Sequence, residues 1–365
     1  MNVDEVAGPA LLLDLDALNR NLAAFAELAR LHGVSWRPHV KAHKCSTVGR
    51  LQVGRGAIGL SCATLREAEA MAAGGLPGIL LTTTLAARAQ FDRLARLLRR
   101  SRDVSLVVDD ERAIEPLADV ARREGVELGV LVDIDVGQGR TGLRDLDRAI
   151  ALAGKVSTTQ GLRYDGVQAY YGHLQQRMPM ADRVAAVGQQ HTRIADLLDR
   201  LRQAGLPPRI VTGSGSGTSL MDAKSGLFTE LQPGSAFMMD APYSVSLAAE
   251  DGSCPFEVAL FVQAIIISAT EPGLAVVNAG SKALATDMGL PKIVGAQWDG
   301  WTYAFSGDEH GLLRAKDPRV NDVPWGTQIR LVTPHCDPTV NLYDRFHVIR
   351  GDDLIDIWEI DGRGY

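Results

Sequence analysis

A chain of 365 residues with 46% hydrophobic and 22% charged content has the makeup of a soluble globular protein with a large core. Its net charge of -6 and pI near 5.8 exclude a surface built for phosphate backbones or anionic membranes. The length exceeds the roughly 250 residues of one (β/α)8 barrel, so a barrel plus a smaller domain is expected.

From residue 10 to about residue 240, short β-rich runs alternate with amphipathic stretches, the signature of a parallel sheet flanked by helices. Strands are predicted at residues 11–15, 36–40, 57–60, 78–82, 104–108, 128–134, 166–169 and 210–212. Between them, Leu18, Leu22, Phe25 and Ala29 share one helical stripe, as do Val184, Val187, His191, Ile194, Leu198 and Leu201. Eight such units imply a (β/α)8 TIM-type barrel over 10–240, with its working residues at strand C-termini. Past residue 240 the pattern changes to strands at 256–267, 274–277, 328–332 and 354–360, separated by turns such as Glu271-Pro272-Gly273. A C-terminal β-rich domain over 241–365, joined by residues 1–9, is expected.

The longest apolar runs, such as residues 258–267, fall well short of the roughly 20 residues of a membrane span. Cys45, Cys62, Cys254 and Cys336 have no paired spacing, and Met1-Asn2-Val3-Asp4-Glu5 opens without a basic stretch and apolar run, so a reducing cytoplasm is expected.

Four segments carry chemistry. Lys41, in Arg37-Pro38-His39-Val40-Lys41-Ala42-His43-Lys44, ends a predicted strand at the barrel rim, where neighbouring positive charge and partial desolvation suit a Schiff-base lysine. Val132-Asp133-Ile134-Asp135-Val136-Gly137-Gln138-Gly139-Arg140-Thr141-Gly142 leaves another strand with Arg140 framed by glycines, a guanidinium suited to a phenolate or carboxylate. Tyr170-Tyr171-Gly172-His173 closes the next strand with groups that can face a planar ring, although a buried, hydrogen-bonded tyrosine is as common a use. Gly213-Ser214-Gly215-Ser216-Gly217-Thr218 follows the last predicted strand, and its small residues and hydroxyls suit a phosphate better than a plain turn would require. It is neither a dinucleotide fingerprint nor a nucleotide P-loop, because no Gly-Lys-Ser/Thr follows.

Far downstream, Pro334-His335-Cys336-Asp337-Pro338 offers a nitrogen and a carboxylate two positions apart. In an extended segment they point the same way, with Cys336 turned to the other side. That pair suits Mg²⁺ or Mn²⁺ with water completing the shell; the bland reading is a hydrogen-bonded turn. The absence of Cys-x-x-Cys and His-Glu-x-x-His argues against a dedicated zinc site.

Taken together with Gln232-Pro233-Gly234-Ser235, Glu309-His310-Gly311 and Pro338-Thr339-Val340-Asn341, these motifs resemble the D-threonine aldolase and 3-hydroxy-D-aspartate aldolase group of the alanine-racemase-like, fold type III pyridoxal-phosphate enzymes. The resemblance covers nearly the whole chain. It implies that Lys41 carries pyridoxal 5'-phosphate and that Arg140 contacts its 3-hydroxyl. It also places Tyr171 near the pyridine nitrogen, Gly213 to Thr218 around the phosphate, and a divalent metal, manganese or magnesium, on His335 and Asp337. It implies a homodimer acting on β-hydroxy-D-amino acids, with glycine and an aldehyde as products. The related D-serine dehydratases tend to carry His-x-Cys, so His-x-Asp favours the aldolase branch over dehydration to a keto acid and ammonia. A non-catalytic pyridoxal-phosphate carrier is the reading of another class, against which the β-rich domain and the metal pair speak. Two positions depart from the pattern: Asn278 stands where the resemblance has aspartate, and Thr82-Thr83-Thr84-Leu85-Ala86 replaces an Asn-containing loop.

Overall fold

Runs rich in Val, Ile and Leu that are buried on both faces read as parallel strands, and here they curl into a ring. The protein is a computed structural model that describes residues 2–249, 251–319 and 323–365. It divides into two units, one of Phe25–Lys41, Cys45–Gly234 and Gly364–Tyr365, the other of Met1–Ala24, Ala42–Lys44 and Ser235–Arg363.

Strand β1 (Ala10–Asp14) belongs to the second unit. The barrel unit takes the next eight: β2 (Ser35–Trp36), β3 (Leu60–Cys62), β4 (Ile79–Leu81), β5 (Val104–Val108), β6 (Leu128–Ile134), β7 (Leu162–Ala169), β8 (Ile210–Gly213) and β9 (Glu230–Leu231). All run parallel in the order β2-β9-β8-β7-β6-β5-β4-β3. A parallel bridge between His39 and Ser61 joins the two ends of that order.

The expected eight-stranded sheet is therefore present, but its membership differs by one strand. Residues 11–15 were expected as its first strand; β1 instead pairs antiparallel with a later strand, Ala10 opposite Gln263, and parallel with another, Leu12 opposite His347. The missing barrel strand is β9, two residues long and too short to carry a periodicity of its own. A buried ion pair fixes it: Nε and Nη2 of Arg37 each donate to one oxygen of the Glu230 carboxylate at 2.9 Å. The helical stripe of Leu18, Leu22, Phe25 and Ala29 is buried as expected, whereas Val184 on the later helix (Met180–Gln203) is exposed.

The second unit is a nine-stranded sheet. To β1 it adds β10 (Leu260–Glu271), β11 (Leu274–Val277), β12 (Lys292–Ile293), β13 (Trp301–Phe305), β14 (Gly311–Ala315), β15 (Gln328–Val332), β16 (Arg345–Arg350) and β17 (Asp353–Glu359). Its path runs β13-β14-β11-β10-β1-β16-β17, with β15 also paired to β10 and β12. Asn278 has a structural task here. Its side chain accepts from the Ile265 amide at 2.7 Å and donates to the Gly8 carbonyl at 2.8 Å. An aspartate has no donor for the second bond. No helix among the described residues is long and apolar enough to cross a membrane.

Candidate active site

In the barrel unit the motif residues gather at strand C-termini. Lys41 lies in a single 3-10 turn, Val40–Ala42, after extended chain that hydrogen-bonds to the last strand's exit through His39 N–H and the Pro233 carbonyl at 2.8 Å. The predicted strand of residues 36–40 is thus regular only at Ser35–Trp36, and the chain turns just where Lys41 leaves the sheet. Lys41 is partly exposed, while His39 beside it is buried, with Nε2 at 3.2 Å from Thr82 Oγ1.

Arg140 is exposed, with its guanidinium 5.5 Å above the ring of Tyr170. Its loop is shaped by Asp135, whose Oδ1 accepts the amides of Gly137 and Gly139 at 3.0 Å each. At the end of β6, the Asp133 carboxylate accepts from Gln168 at 2.9 Å and Thr141 at 2.8 Å. Burial pushes this carboxyl above its ordinary value; those two bonds and the charge of Arg140 only partly offset it.

The segment Gly213 to Thr218 is buried throughout. A Cβ at Gly213 would lie 2.0 Å from the Ala169 carbonyl, and one at Gly217 would lie 1.7 Å from that of Gln175, so backbone proximity excludes any side chain at either position. Ser214 sits at φ 71, a left-handed conformation that serine seldom adopts. Gln175 ties the segment's far end: its Oε1 accepts the Gly217 amide at 3.0 Å and its Nε2 donates to Thr218 Oγ1 at 3.1 Å. Thr218 in turn donates to Asp222 Oδ2 at 2.6 Å. The Gly217 amide and Thr218 hydroxyl therefore brace the loop, and the hydroxyl and amide donors at residues 214–216 are the chemistry that fits a phosphate.

Tyr171 is fully buried, and its hydroxyl donates to Asp222 Oδ1, which also lies 2.8 Å from Nε2 of His191. Burial foremost, and then the Asp222 charge, push the phenol far above its ordinary value, so Tyr171 stays protonated. Its hydroxyl is committed to a carboxylate, and its ring has no accessible surface.

In the second unit, His335 and Asp337 are not in an extended segment. His335 caps a short helix, Cys336–Val340, and Asp337 occupies its first turn. The two side chains still converge, His335 Nε2 standing 3.9 Å from Asp337 Oδ2, with the extended cap residue followed directly by the helix that carries Asp337. Cys336 is buried, its Sγ donating to the Met239 carbonyl and its amide to Asp240 Oδ2 at 3.3 Å. Burial raises Asp240 to about 6, against the lowering effect of the Tyr243 and Cys336 amides and of His335. Two metal–ligand bonds of about 2.1 Å each span a gap of this size, and an imidazole with a carboxylate is a donor set that Mn²⁺ and Mg²⁺ accept. Among the described residues no group of three or more His, Cys, Asp or Glu is placed to hold a metal. An ion on this pair would keep positions open.

Single-sequence reading missed Gln175, Asp222, Asp133 and Asp240 as working residues. Each has a partner far along the chain: Gln175 meets Gly217 across 42 positions, Asp133 meets Gln168 across 35, Asp222 meets Tyr171 across 51 and Asp240 meets Cys336 across 96.

Comparison with known proteins identifies the family. The alanine racemase N-terminal domain family matches residues 13–242, and a putative serine dehydratase domain matches residues 259–349. The chain is 37% identical over 370 residues to a 3-hydroxy-D-aspartate aldolase of Paracoccus denitrificans (strain Pd 1222), covering all of this chain and 94% of that protein. It is 37% identical over 358 residues to a D-threonine aldolase of an Arthrobacter species, covering 98% and 93%. The crystal structure of D-threonine aldolase from Filomicrobium marinum superposes with a TM-score of 0.93 at 37% identity, covering 99% of this chain and 96% of that one. A barrel unit that gathers lysine, arginine and a hydroxyl-rich loop at its strand ends, matched over these full lengths, places the chain in the alanine racemase N-terminal domain family, within its aldolase (lyase) group.

Proposed function

We propose that the protein is a pyridoxal-phosphate- and divalent-metal-dependent lyase that cleaves β-hydroxy-D-amino acids to glycine and an aldehyde. The observation that carries the metal-assisted reading is the His335 and Asp337 pair, a nitrogen and a carboxylate oxygen 3.9 Å apart.

Pyridoxal phosphate, when bound, supplies an electron-poor ring that takes up the electron pair left at Cα as the Cα–Cβ bond breaks. A divalent ion supplies a Lewis acid that lowers the pKa of the substrate β-hydroxyl. The residues of this chain do the rest. Lys41 would hold the cofactor through its amine. Arg140 would offer the cofactor's 3-hydroxyl oxygen a charge-assisted bond. Ser214, Gly215 and Ser216 hold the phosphate on a loop that Gln175 and Thr218 keep closed. Tyr171 would steady that loop through the carboxylate of Asp222. His335 and Asp337 would hold the ion.

Dehydration to a keto acid and ammonia is the rival reading, favoured by the dehydratase-type match over residues 259–349. A product assay separates them. On D-threonine the aldolase reading expects acetaldehyde and glycine in equal amounts and no 2-oxobutyrate. On 3-hydroxy-D-aspartate it expects glyoxylate and glycine. 2-Oxobutyrate with ammonia would overturn it, and absence of turnover on both with cofactor bound would revive the carrier. The assembly that goes with this reading is a homodimer, and an active monomer in light scattering would remove it.

A further inference from the structure

Asp287 is half exposed, in a loop with no regular structure, yet its carboxylate is aimed at one atom. Its Oδ2 lies 2.7 Å from Nδ1 of His335. The loop is not loose at this point. The Ala285 amide donates to Thr339 Oγ1 at 3.0 Å, and the Tyr343 hydroxyl donates to the Ala283 carbonyl at 2.8 Å. Both bonds dock residues 283–285 onto the short helix that His335 caps and onto the turn that follows it. From below, Asp240 accepts the Cys336 amide at 3.3 Å and the Tyr243 amide at 3.0 Å, which fixes the backbone between His335 and Asp337.

An imidazole whose Nδ1–H is bonded to a carboxylate has one tautomer and one ring plane, with Nε2 left as the acceptor. Nε2 is the atom that faces Asp337. We propose that Asp287 is a positioning residue for the divalent-cation site: it presents Nε2 of His335 as a ligand beside the Asp337 carboxylate. The proposal rests on the metal reading of His335 and Asp337. The ordinary alternative is a half-exposed ion pair of little consequence, and such a pair has no reason to change the affinity for a metal.

The test uses the full-length protein, stripped of metal with a chelator and titrated with Mn²⁺ by calorimetry, with free Mn²⁺ followed by electron paramagnetic resonance. Thermal unfolding of each variant is recorded in parallel. The wild type is expected to bind one Mn²⁺ per chain and His335→Ala to lose that binding. Asp287→Ala is expected to weaken Kd about 10–100-fold, the usual effect of removing such a partner. Asp287→Asn keeps an oxygen acceptor for Nδ1–H without the charge, so its Kd should fall between the two, and it carries the test if the alanine variant fails to fold. Wild-type Mn²⁺ affinity in both Asp287 variants, with His335→Ala still inactive in binding, would overturn the positioning role while leaving the metal pair intact. Undiminished Mn²⁺ binding by His335→Ala would instead bring down the metal reading on which it rests.

Discussion

Thr218 Oγ1 donates to Asp222 Oδ2 at 2.6 Å, and the opposite oxygen of the same carboxylate takes the Tyr171 hydroxyl. One fully buried carboxylate thus links the end of the glycine-rich loop to the strand exit beside it. Thr218→Val keeps the shape of the side chain and removes the donor. It should cost about 1–3 kcal/mol, since a buried carboxylate then loses a partner. Chemical denaturation measures this directly, and the same variant should release pyridoxal phosphate more readily on dialysis. Unchanged stability would mean that Asp222 is satisfied without Thr218.

Lys41→Ala should abolish the visible absorption band of the bound cofactor, and borohydride treatment of the wild type should label the peptide that contains residue 41. Lys44, the nearby alternative, is 7% exposed, sits at φ 51 and uses its carbonyl to accept the Gly362 amide. A label on Lys44, or a band that survives in Lys41→Ala, would move the covalent attachment.

Thorough chelation should remove the aldol-cleaving activity, and Mn²⁺ or Mg²⁺ should restore it. His335→Ala and Asp337→Ala should each lower kcat/KM by at least 100-fold, about 2.7 kcal/mol, if the ion stabilises charge only as the bond breaks. Full activity in the presence of excess chelator would take the metal out of the reaction.

The barrel's closing strand predicts a large stability effect far from the chemistry. Arg37 and Glu230 are nearly buried, with side chains 10% and 3% exposed, and they bond through two parallel hydrogen bonds from one guanidinium edge. Arg37→Met leaves a buried carboxylate uncompensated, which should cost about 3–5 kcal/mol. The double variant Arg37→Met, Glu230→Gln should recover much of that loss, and a double variant no more stable than the single would show that the pair is not acting as a unit.

Asp133 carries a pH dependence. Because burial raises its native pKa, the folded protein keeps a proton that the unfolded chain has already released above the ordinary carboxylate value of about 4. Its contribution to stability is therefore present at low pH and is lost as pH rises through the native value. Asp133→Asn, which can still accept from Gln168, should flatten the fall of unfolding midpoint with rising pH. A variant with the same pH profile as the wild type would show that this carboxyl titrates normally in the folded protein.

Much of this was legible in the chain itself. Alternating β-rich and amphipathic stretches specify a parallel barrel because strands buried on both faces must be apolar, and the switch past residue 240 marks the β-rich unit. Lys41, Arg140 and the run Gly213 to Thr218 could be picked out because a strand followed by glycines or a lone cation is a local pattern. What could not be read was anything decided by long-range pairing. Strand β1 has the sequence of a barrel strand, and only its partners, Gln263 and His347, assign it to the other sheet. Strand β9 is defined by its neighbours rather than by its two residues. The convergence of His335 with Asp337 was anticipated for a reason that does not apply, since a helix cap and not an extended segment brings them together. Asp287, Asp222 and Gln175 acquire their tasks from His335, Tyr171 and Gly217, partners 48, 51 and 42 positions away. Sequence order fixes which groups are available and which faces are apolar; hydrogen-bond partners across such separations are settled only when burial obliges each polar atom to find one.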